Sequence, residues 1–117
     1  MTRLTTHVLD VSAGIPAAGM RIELRESASS ATRALADVRT NSDGRCPRPL
    51  LEGADFRAGR YALTFHVAEY FKARGVALPD PPFLDHVVIE FGIADASSHY
   101  HVPLLVTPWG YSTYRGS

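Results

Sequence analysis

The sequence predicts an all-β fold, an antiparallel β-sandwich with one short helix. Apolar and polar residues alternate along several segments, which is the pattern of strands with one buried face. Clusters of Gly, Pro, Asn, Asp and Ser separate these segments and indicate turns between short strands. A length of 117 residues suits one such domain, so we expect residues 1–117 to form a single unit.

Seven strands are predicted, three of them from clear alternation. In segment 20–25, Met20, Ile22 and Leu24 alternate with charged residues, and apolar residues at every second position define segments 60–67 and 87–93. Many short strands with regular turns are typical of a sandwich. Two further strands are predicted at 5–9 and 99–107, and weaker patterns favour strands at 31–40 and 111–115.

Turn signals and a single helical segment complete the prediction. The helix is expected at residues 67–74, where Gly75 provides a C-terminal stop. Clusters of turn-forming residues predict that the chain reverses at 12–16, 41–44, 52–55 and 79–82.

Composition and charge narrow the classes of function and location. Twelve basic residues balance twelve acidic ones, so charge does not favour nucleic acid or an anionic membrane as a partner. Cys46 is the only cysteine, which rules out an intrachain disulfide. No apolar run approaches the roughly 20 residues that span a bilayer. The N-terminus lacks the apolar stretch of a signal peptide, and we therefore expect a cytoplasmic protein.

Histidines supply the first candidates for chemistry. His7 lies in a predicted strand on the same face as Thr5 and Leu9, as either a structural hydrogen-bonded residue or a general base. His99 and His101 are two residues apart, so both side chains leave one face of a strand. With His7 as third ligand this spacing would suit zinc, but no carboxylate or cysteine motif accompanies it. We expect no metal and no other cofactor.

Arg45 and the end of the chain supply the second group of candidates. Arg45 follows an Asn-Ser-Asp-Gly turn, and its planar, permanently charged guanidinium suits the oxygens of an imide or ureide. The alternative is a solvated arginine or a structural ion pair. A terminus usually frays into solvent, yet this one is rich in aromatic residues and ends in Tyr-Arg-Gly-Ser at 114–117. Arg115 has the same two interpretations as Arg45, and Ser117 adds a hydroxyl group.

Six segments together resemble 5-hydroxyisourate hydrolases, the transthyretin-like enzymes of urate breakdown. The resemblance covers nearly the whole chain, in order and without a large insertion. Its most recognisable parts are His-Tyr-His-Val-Pro-Leu-Leu at 99–105 and Tyr-Arg-Gly-Ser at 114–117. The other matching segments are 4–10, 14–19, 40–45 and 83–91.

The resemblance implies a fold and an assembly. Family members are transthyretin-like, with two four-stranded sheets and one short helix, and they form tetramers built as dimers of dimers. Their active sites lie in the cleft where dimers face each other. On this basis we expect a homotetramer that binds a small-molecule substrate, and neither nucleic acid nor a membrane.

The resemblance also implies an activity, the hydrolysis of 5-hydroxyisourate to 2-oxo-4-hydroxy-4-carboxy-5-ureidoimidazoline in purine catabolism. The family's catalytic positions fall on His7, Arg45 and His101, and which histidine is the general base stays open. The substrate-binding positions fall on Arg45, Tyr114, Arg115 and Ser117. The alternative function is that of a non-enzymatic small-molecule carrier on the same scaffold, as in transthyretin itself.

Overall fold

The computed structural model describes residues 2–27 and 34–116. Within these residues the chain forms eleven short strands, one α-helix and one turn of 3-10 helix. The helix α1 spans Val67–Ala73 and the 3-10 turn spans Gly53–Asp55. The strands are β1 (Arg3–Thr5), β2 (Val8–Asp10), β3 (Ile15–Pro16), β4 (Arg21–Glu26), β5 (Ala36–Arg39), β6 (Leu51–Glu52), β7 (Gly59–Phe65), β8 (Val87–Ile93), β9 (Tyr100–His101), β10 (Leu104–Thr107) and β11 (Gly110–Thr113).

One layer of the fold is an antiparallel four-stranded sheet in the order β5-β4-β7-β8. β7 pairs with β8 along its full length, from Gly59 opposite Ile93 to Phe65 opposite Val87. Burial alternates along β4 and along most of β8. Side chains of a strand point alternately to the two faces of the sheet, and only the inward face is apolar. The strands predicted from clear alternation at the positions of β4 and β8 are confirmed.

The other layer contains a second four-stranded sheet, β11-β10-β2-β3, and a three-stranded sheet, β6-β1-β9. The chain connects the two, because β1 leads into β2 and β9 leads into β10. β1 pairs in parallel with β9, and β2 pairs in parallel with β10. The N-terminal segment 3–10 therefore runs beside the segment 100–107. This parallel pair is embedded in a sandwich whose other pairings are antiparallel.

The strands predicted at 5–9 and 99–107 are each divided in two, so the expectation of two continuous strands is wrong. The breaks fall at residues 6–7 and 102–103. Pro103 has no N–H to give to a ladder, and proline is disfavoured inside a paired strand. Hydrophobic alternation alone does not reveal such a break, because the alternation continues across it.

Hydrogen bonds between the segments 3–10 and 100–107 stabilise the backbone where the strands are interrupted. Thr6 is 2% exposed, and its hydroxyl donates to the Val102 carbonyl oxygen at 2.6 Å. The Val102 N–H donates to the Thr5 carbonyl, and the Leu104 N–H donates to the His7 carbonyl, each at 2.9 Å. The two segments therefore stay paired while the chain passes from one sheet to the next.

The helix prediction is confirmed with a small shift in its end. α1 ends at Ala73, and Arg74 is its C-cap residue. The strand predicted at 60–67 ends at Phe65, because Val67 begins the helix.

Within the described residues, no helix has the length and apolar character to cross a membrane.

The weaker predictions fare less well. The turns predicted at 12–16 and 52–55 are present but shorter than predicted, because β3 occupies residues 15–16 and β6 ends at Glu52. β5 covers only the end of the strand predicted at 31–40, of which residues 31–33 lie outside the described residues. β11 begins and ends earlier than the strand predicted at 111–115. A short edge strand places few apolar side chains in the core, so its sequence is difficult to distinguish from that of a turn.

The hydrophobic core lies between the layers and joins the inward faces of both. Each fully buried large apolar side chain contributes about 1.5–3 kcal/mol relative to exposure. The helix adds the buried Tyr70 and Phe71 to this core. The largest fully buried side chains are Phe65, Phe71, Leu4, Met20, Ile22, Leu24, Leu63, Ile93, Leu104, Val8, Val67 and Val87.

A buried carboxylate ties the helix to the layer that contains β2. Asp10 is 1% exposed and accepts hydrogen bonds from the Tyr70 hydroxyl at 2.9 Å and the Ser12 hydroxyl at 2.6 Å. The Ala13 N–H donates to it at 3.2 Å, and Arg74 Nε lies 3.5 Å away. Burial and the Asp10 carboxylate raise the pKa of Tyr70 to about 12, so this phenol remains a donor. A charge buried with this many partners is stable only while they remain.

Replacing Tyr70 with Phe should lower the free energy of unfolding by about 1.5–3 kcal/mol, the usual contribution of a hydrogen bond to a charged group. Urea denaturation at fixed protein concentration measures the change. The matched control is Tyr111→Phe, whose side chain is 48% exposed and whose loss of a hydroxyl should change stability by less than about 0.5 kcal/mol. Equal effects of the two substitutions would contradict a structural role for the Tyr70–Asp10 bond.

Candidate active site

A cleft of about 390 Å³ lies beside β1. One wall is the loop 45–50, which is held to the N-terminal segment at both ends. Arg45 forms a bridge with His7, and the Leu50 N–H donates to the Leu4 carbonyl at 2.8 Å. Between these points the loop has more residues than the segment opposite, and its two prolines offer no N–H for pairing. The loop therefore bulges away from β1 and leaves an open space.

The opposite side of the cleft comes from β1 and from the region of β9. Thr5 is the first contributor, and the parallel register sets it opposite His101. His99 and His101 both line the cleft, as expected for residues two apart on one strand face. The complete lining is Arg3, Thr5, Thr6, Arg45, Cys46, Pro47, Arg48, Pro49, His99 and His101.

A tight turn fixes the backbone of Arg45. The Asn41 side-chain oxygen accepts from the N–H of Asp43 at 2.9 Å and from the N–H of Arg45 at 3.2 Å. Gly44 has φ +75°, a left-handed conformation that favours glycine, and a Cβ there would clash with the Val8 carbonyl oxygen. The Gly44 carbonyl in turn accepts from the Val8 N–H at 2.8 Å. The predicted turn is thus confirmed, and it anchors Arg45 against β2.

A threonine hydroxyl links the two histidines of the cleft. Thr5 Oγ1 lies 2.8 Å from His101 Nδ1 and 3.5 Å from His99 Nε2. The shorter of these contacts is a hydrogen bond between the Thr5 hydroxyl and His101 Nδ1. Within the described residues the other nitrogen, Nε2, has no hydrogen-bond partner, so it is available to a ligand in the cleft. Threonine at position 5 fixes the orientation of the ring that carries this nitrogen.

His7 lies beside the cleft and is not among its lining residues. Its Nε2 is 2.8 Å from the carbonyl oxygen of Asp43. A carbonyl can only accept, so Nε2 carries a proton and Nδ1 is the basic nitrogen of the neutral ring. His7 is paired with Arg45 through the backbone, which places the two residues side by side. The three expected catalytic residues are therefore brought together, with His101 and Arg45 in the cleft and His7 at its edge.

The C-terminal tail reaches this site through Gly116. Its N–H donates to the His101 carbonyl at 2.7 Å, and the two residues form an isolated bridge. A Cβ on Gly116 would lie 2.9 Å from His101 Cδ2. The glycine therefore allows the tail to pass directly against the imidazole ring.

Tyr114 and Arg115 are not in the cleft. Both line a separate groove next to β8 and Tyr100. The Arg115 guanidinium donates to the His99 carbonyl at 3.0 Å and lies 4.2 Å from the centre of the Tyr100 ring. Within one chain, the expected substrate-binding residues are thus divided between two surfaces. Ser117 lies outside the described residues.

The cleft lowers the pKa of His101 below its usual value. Burial contributes most, followed by the positive charge of Arg45 and by the neighbouring His7 and His99. A lowered pKa keeps the imidazole neutral near pH 7 and able to accept a proton. Burial raises the pKa of the Cys46 thiol to about 11, so it stays protonated and behaves as a packing residue.

The alternative of a zinc site is not supported by the arrangement of side chains. In the described part of the chain, no three His, Cys, Asp or Glu side chains are placed so that they could hold a metal ion. His99 and His101 share a face as predicted, but His7 does not join them as a third ligand.

A model of the HIUase/Transthyretin family matches residues 4–116. The chain belongs to this family. A 5-hydroxyisourate hydrolase from Ralstonia nicotianae is 57% identical over 117 residues, which cover all of both chains. The solved structure of Klebsiella pneumoniae 5-hydroxyisourate hydrolase has a TM-score of 0.81 and 36% identity over the full length of both chains. A solved (S)-allantoin synthase has a TM-score of 0.93 and 44% identity over 99% of this chain, which spans 44% of that longer protein.

These matches confirm the predicted transthyretin-like fold of this family member. The two four-stranded sheets and the short helix are present as expected. The three-stranded sheet that contains β1 was not predicted. It shapes the cleft, because it is the sheet that carries Thr5 and His101.

Four polar residues of this family member line the cleft and are not among the candidates from the sequence: Arg3, Thr5, Thr6 and Arg48. Strand alternation puts Thr5 on the same face as His7, so this residue could have been found from the sequence. Arg3 and Arg48 carried no comparable signal, because one begins a strand and the other lies between two prolines.

Replacing Arg45 with Gln should raise the pKa of His101 towards its usual value. A nearby cation disfavours the protonated imidazolium, so removing that cation favours it. NMR titration of the histidine ring resonances measures the pKa. The control is Arg57→Gln, an exposed arginine in a pocket that shares no lining residue with the cleft. A His101 pKa that stays constant or falls in the Arg45 variant would contradict the arrangement described here.

Proposed function

We propose that this chain is a hydrolase that opens the ring of 5-hydroxyisourate to give 2-oxo-4-hydroxy-4-carboxy-5-ureidoimidazoline in purine catabolism. The observation that carries the proposal is that His101 and Arg45 line the same cleft. The names of the full-length relatives support the choice of substrate. The reaction as proposed uses side chains alone, with no metal or organic cofactor.

His101 is the general base in this proposal. It lines the cleft, its Nδ1 is held by Thr5, and its lowered pKa keeps it neutral. Nε2 accepts a proton from water as the water oxygen bonds to a ring carbonyl carbon. The carbon–nitrogen bond then breaks, and the leaving nitrogen takes the proton back from the imidazolium. A positioned base of this kind contributes about 10²–10⁴-fold to a rate.

Arg45 is the residue that stabilises negative charge on the attacked carbonyl oxygen. Its side chain forms no ion pair with a carboxylate of the described residues, so its charge is not already neutralised. The turn before it fixes its backbone at the wall of the cleft, where its positive charge can stabilise developing negative charge. Its planar donor array also suits the adjacent oxygen and nitrogen atoms of a ureide.

His7 is proposed to assist at the edge of the cleft. Because Nε2 donates to the Asp43 carbonyl, the ring is held in one orientation next to Arg45. Nδ1 is then the nitrogen that can hydrogen-bond the substrate or exchange a proton with it. In this assignment the two histidines have different roles. His101 accepts the proton from water, and His7 contacts the substrate.

The proposed roles of Tyr114, Arg115 and Ser117 in substrate binding depend on assembly. Tyr114 and Arg115 line a groove apart from the cleft within one chain. We propose a homotetramer, a dimer of dimers, in which subunits meet at the clefts and complete the site. The exposed Trp109 and Tyr111 are consistent with a further contact surface, since large aromatic residues are enriched at interfaces. We also propose that residues 1–117 act as one domain in the cytoplasm, a setting that suits a lone cysteine.

Replacing His101 with Asn should reduce turnover by about 10²–10⁴-fold, because the proton acceptor is lost. Urate oxidase can generate 5-hydroxyisourate in the cuvette, and the decay of its ultraviolet absorbance is followed with and without the protein. The control is His86→Asn, an exposed histidine that is absent from the lining of the cleft and should leave turnover unchanged. Circular dichroism checks that both variants are folded.

The same assay separates the alternatives. Acceleration by the wild-type protein that survives a chelator supports the metal-free hydrolase. Acceleration abolished by the chelator would overturn the cofactor-free mechanism, and no acceleration by the folded protein would move the conclusion to a small-molecule carrier. Near-normal turnover in His101→Asn would exclude His101 as the base.

Light scattering coupled to size-exclusion chromatography tests the assembly. The chain has a mass of 12.8 kDa, and a homotetramer should show four times that value at micromolar concentration. A stable monomer with full activity would contradict both the tetramer and the sharing of sites between subunits.

A further inference from the structure

Positively charged side chains are concentrated at the cleft, although the formal net charge of the chain is zero. Arg3, Arg45 and Arg48 line it together with two histidines, and no aspartate or glutamate is among its lining residues. The sequence holds as many acidic as basic residues, twelve of each. The concentration of cations at this one place is therefore not a consequence of composition.

Four arginines outside the cleft are paired with carboxylates, whereas Arg57, Arg60 and Arg115 have no such pair within the described residues. Arg21, Arg25, Arg39 and Arg74 each have a carboxylate oxygen within 4 Å, at distances of 2.8, 2.9, 2.6 and 3.5 Å. Within the described residues, the three arginines of the cleft have no such partner.

Glu52 is an acidic residue placed near one of these arginines. It lies opposite Arg3 in the pairing of β1 with β6, yet the two side chains do not form an ion pair. Both Arg3 and Glu52 are exposed. The positive charge of Arg3 therefore remains available to a ligand in the cleft.

Arg48 is presented by a stiff piece of backbone. It lies between Pro47 and Pro49 at the outer part of the loop that forms the cleft wall. Each proline restricts its own φ angle, and Pro49 also restricts the conformation of Arg48. Because little backbone freedom is left to lose, a ligand bound by Arg48 orders the loop at low entropic cost.

Like charges held near one another repel, and unpaired cations in a concave surface raise the local concentration of anions. We propose that Arg3 and Arg48 form an anion-binding rim of the cleft, which selects planar cyclic ureides that carry a negative charge, above all a carboxylate. The rim is distinct in role from Arg45, which acts on the reacting carbonyl. Arg3 and Arg48 bind and orient the ligand and take no part in the bond changes.

The rim deepens the proposed hydrolase function, and it rests on that function only for the identity of the natural ligand. The proposed reaction creates a carboxylate when the ring opens, so the product has the group that the rim binds best. The product should therefore compete with the substrate for the cleft. An anionic substrate would also be drawn in by long-range attraction, which salt weakens.

Binding of two stable ring compounds tests the rim without any turnover. Orotate is a planar cyclic ureide with a carboxylate, and uracil is the same ring without it. Isothermal titration calorimetry should show that wild-type protein binds orotate more tightly than uracil, and that added salt weakens only orotate binding. Arg48→Gln and Arg3→Gln should each weaken orotate binding by about threefold to tenfold, as expected for one partly exposed charge contact. Uracil binding should change little.

Arg57→Gln is the matched control, because it removes a positive charge outside the cleft and should leave both affinities unchanged. Equal binding of orotate and uracil, or orotate binding that is insensitive to both rim substitutions, would overturn the proposal. All three substituted residues are exposed, and circular dichroism verifies that the variants fold.

A kinetic measurement separates this proposal from that of the hydrolase. Inhibition of 5-hydroxyisourate turnover by orotate should weaken as ionic strength rises, and the double variant Arg3→Gln/Arg48→Gln should flatten that dependence. If the protein shows no turnover but binds orotate through the rim, the hydrolase proposal fails and the rim stands. If turnover is normal and neither salt nor the rim substitutions change inhibition by orotate, the rim fails and the hydrolase stands.

Discussion

The parallel pairing of the segments 3–10 and 100–107 is the constraint on which the site depends. The pair is broken near its middle, where the buried Thr6 hydroxyl replaces a ladder bond by donating to the Val102 carbonyl. A buried carbonyl without a donor would cost about 1–3 kcal/mol, so this side-chain bond is what makes the break tolerable. The residues just before it, Thr5 and His101, face each other in register. The candidate site therefore lies next to the interruption of the two strands, at the ends of β1 and β9.

One cation has two physical effects in this arrangement. The Arg45 guanidinium lowers the pKa of His101 by disfavouring the imidazolium, and the same charge is available to a developing oxyanion. Together with burial, which is the larger cause, the first effect favours the unprotonated ring that the proposed mechanism needs before reaction. In that proposed mechanism, the second effect acts as charge moves from water to the carbonyl oxygen. A carboxylate partner for Arg45 would weaken both effects at once, which gives a physical reason for the absence of acidic residues from the lining of the cleft.

The sequence predicts the sandwich well because alternation reports burial directly, as in β4 and β8, whose inward residues pack in the core. The sequence predicts the breaks between β1 and β2 and between β9 and β10 poorly. Thr6 and Val102 are both buried, so they continue the alternation of buried positions, and only Pro103 indicates an interruption. Of the candidate site, His7, Arg45 and His101 are predicted from the sequence, and the structure brings them together. Arg3 and Arg48 are not predicted, because their grouping with Arg45 around one cleft is a property of the folded surface. Tyr114 and Arg115 were grouped with the cleft, whereas one chain places them in another groove.

The separation of core from cleft explains how one scaffold can serve different functions. The core is formed by fully buried apolar side chains on the inward faces of the two layers, whereas Thr5, His101 and His99 are only partly buried and Arg45 is exposed. Changing these four side chains would remove little apolar burial, so the free energy of folding would change little. The backbone break would survive, because Thr6 and Pro103 maintain it independently of these four side chains. The same pairing of strands can therefore carry different side chains in this cleft, and with them different functions.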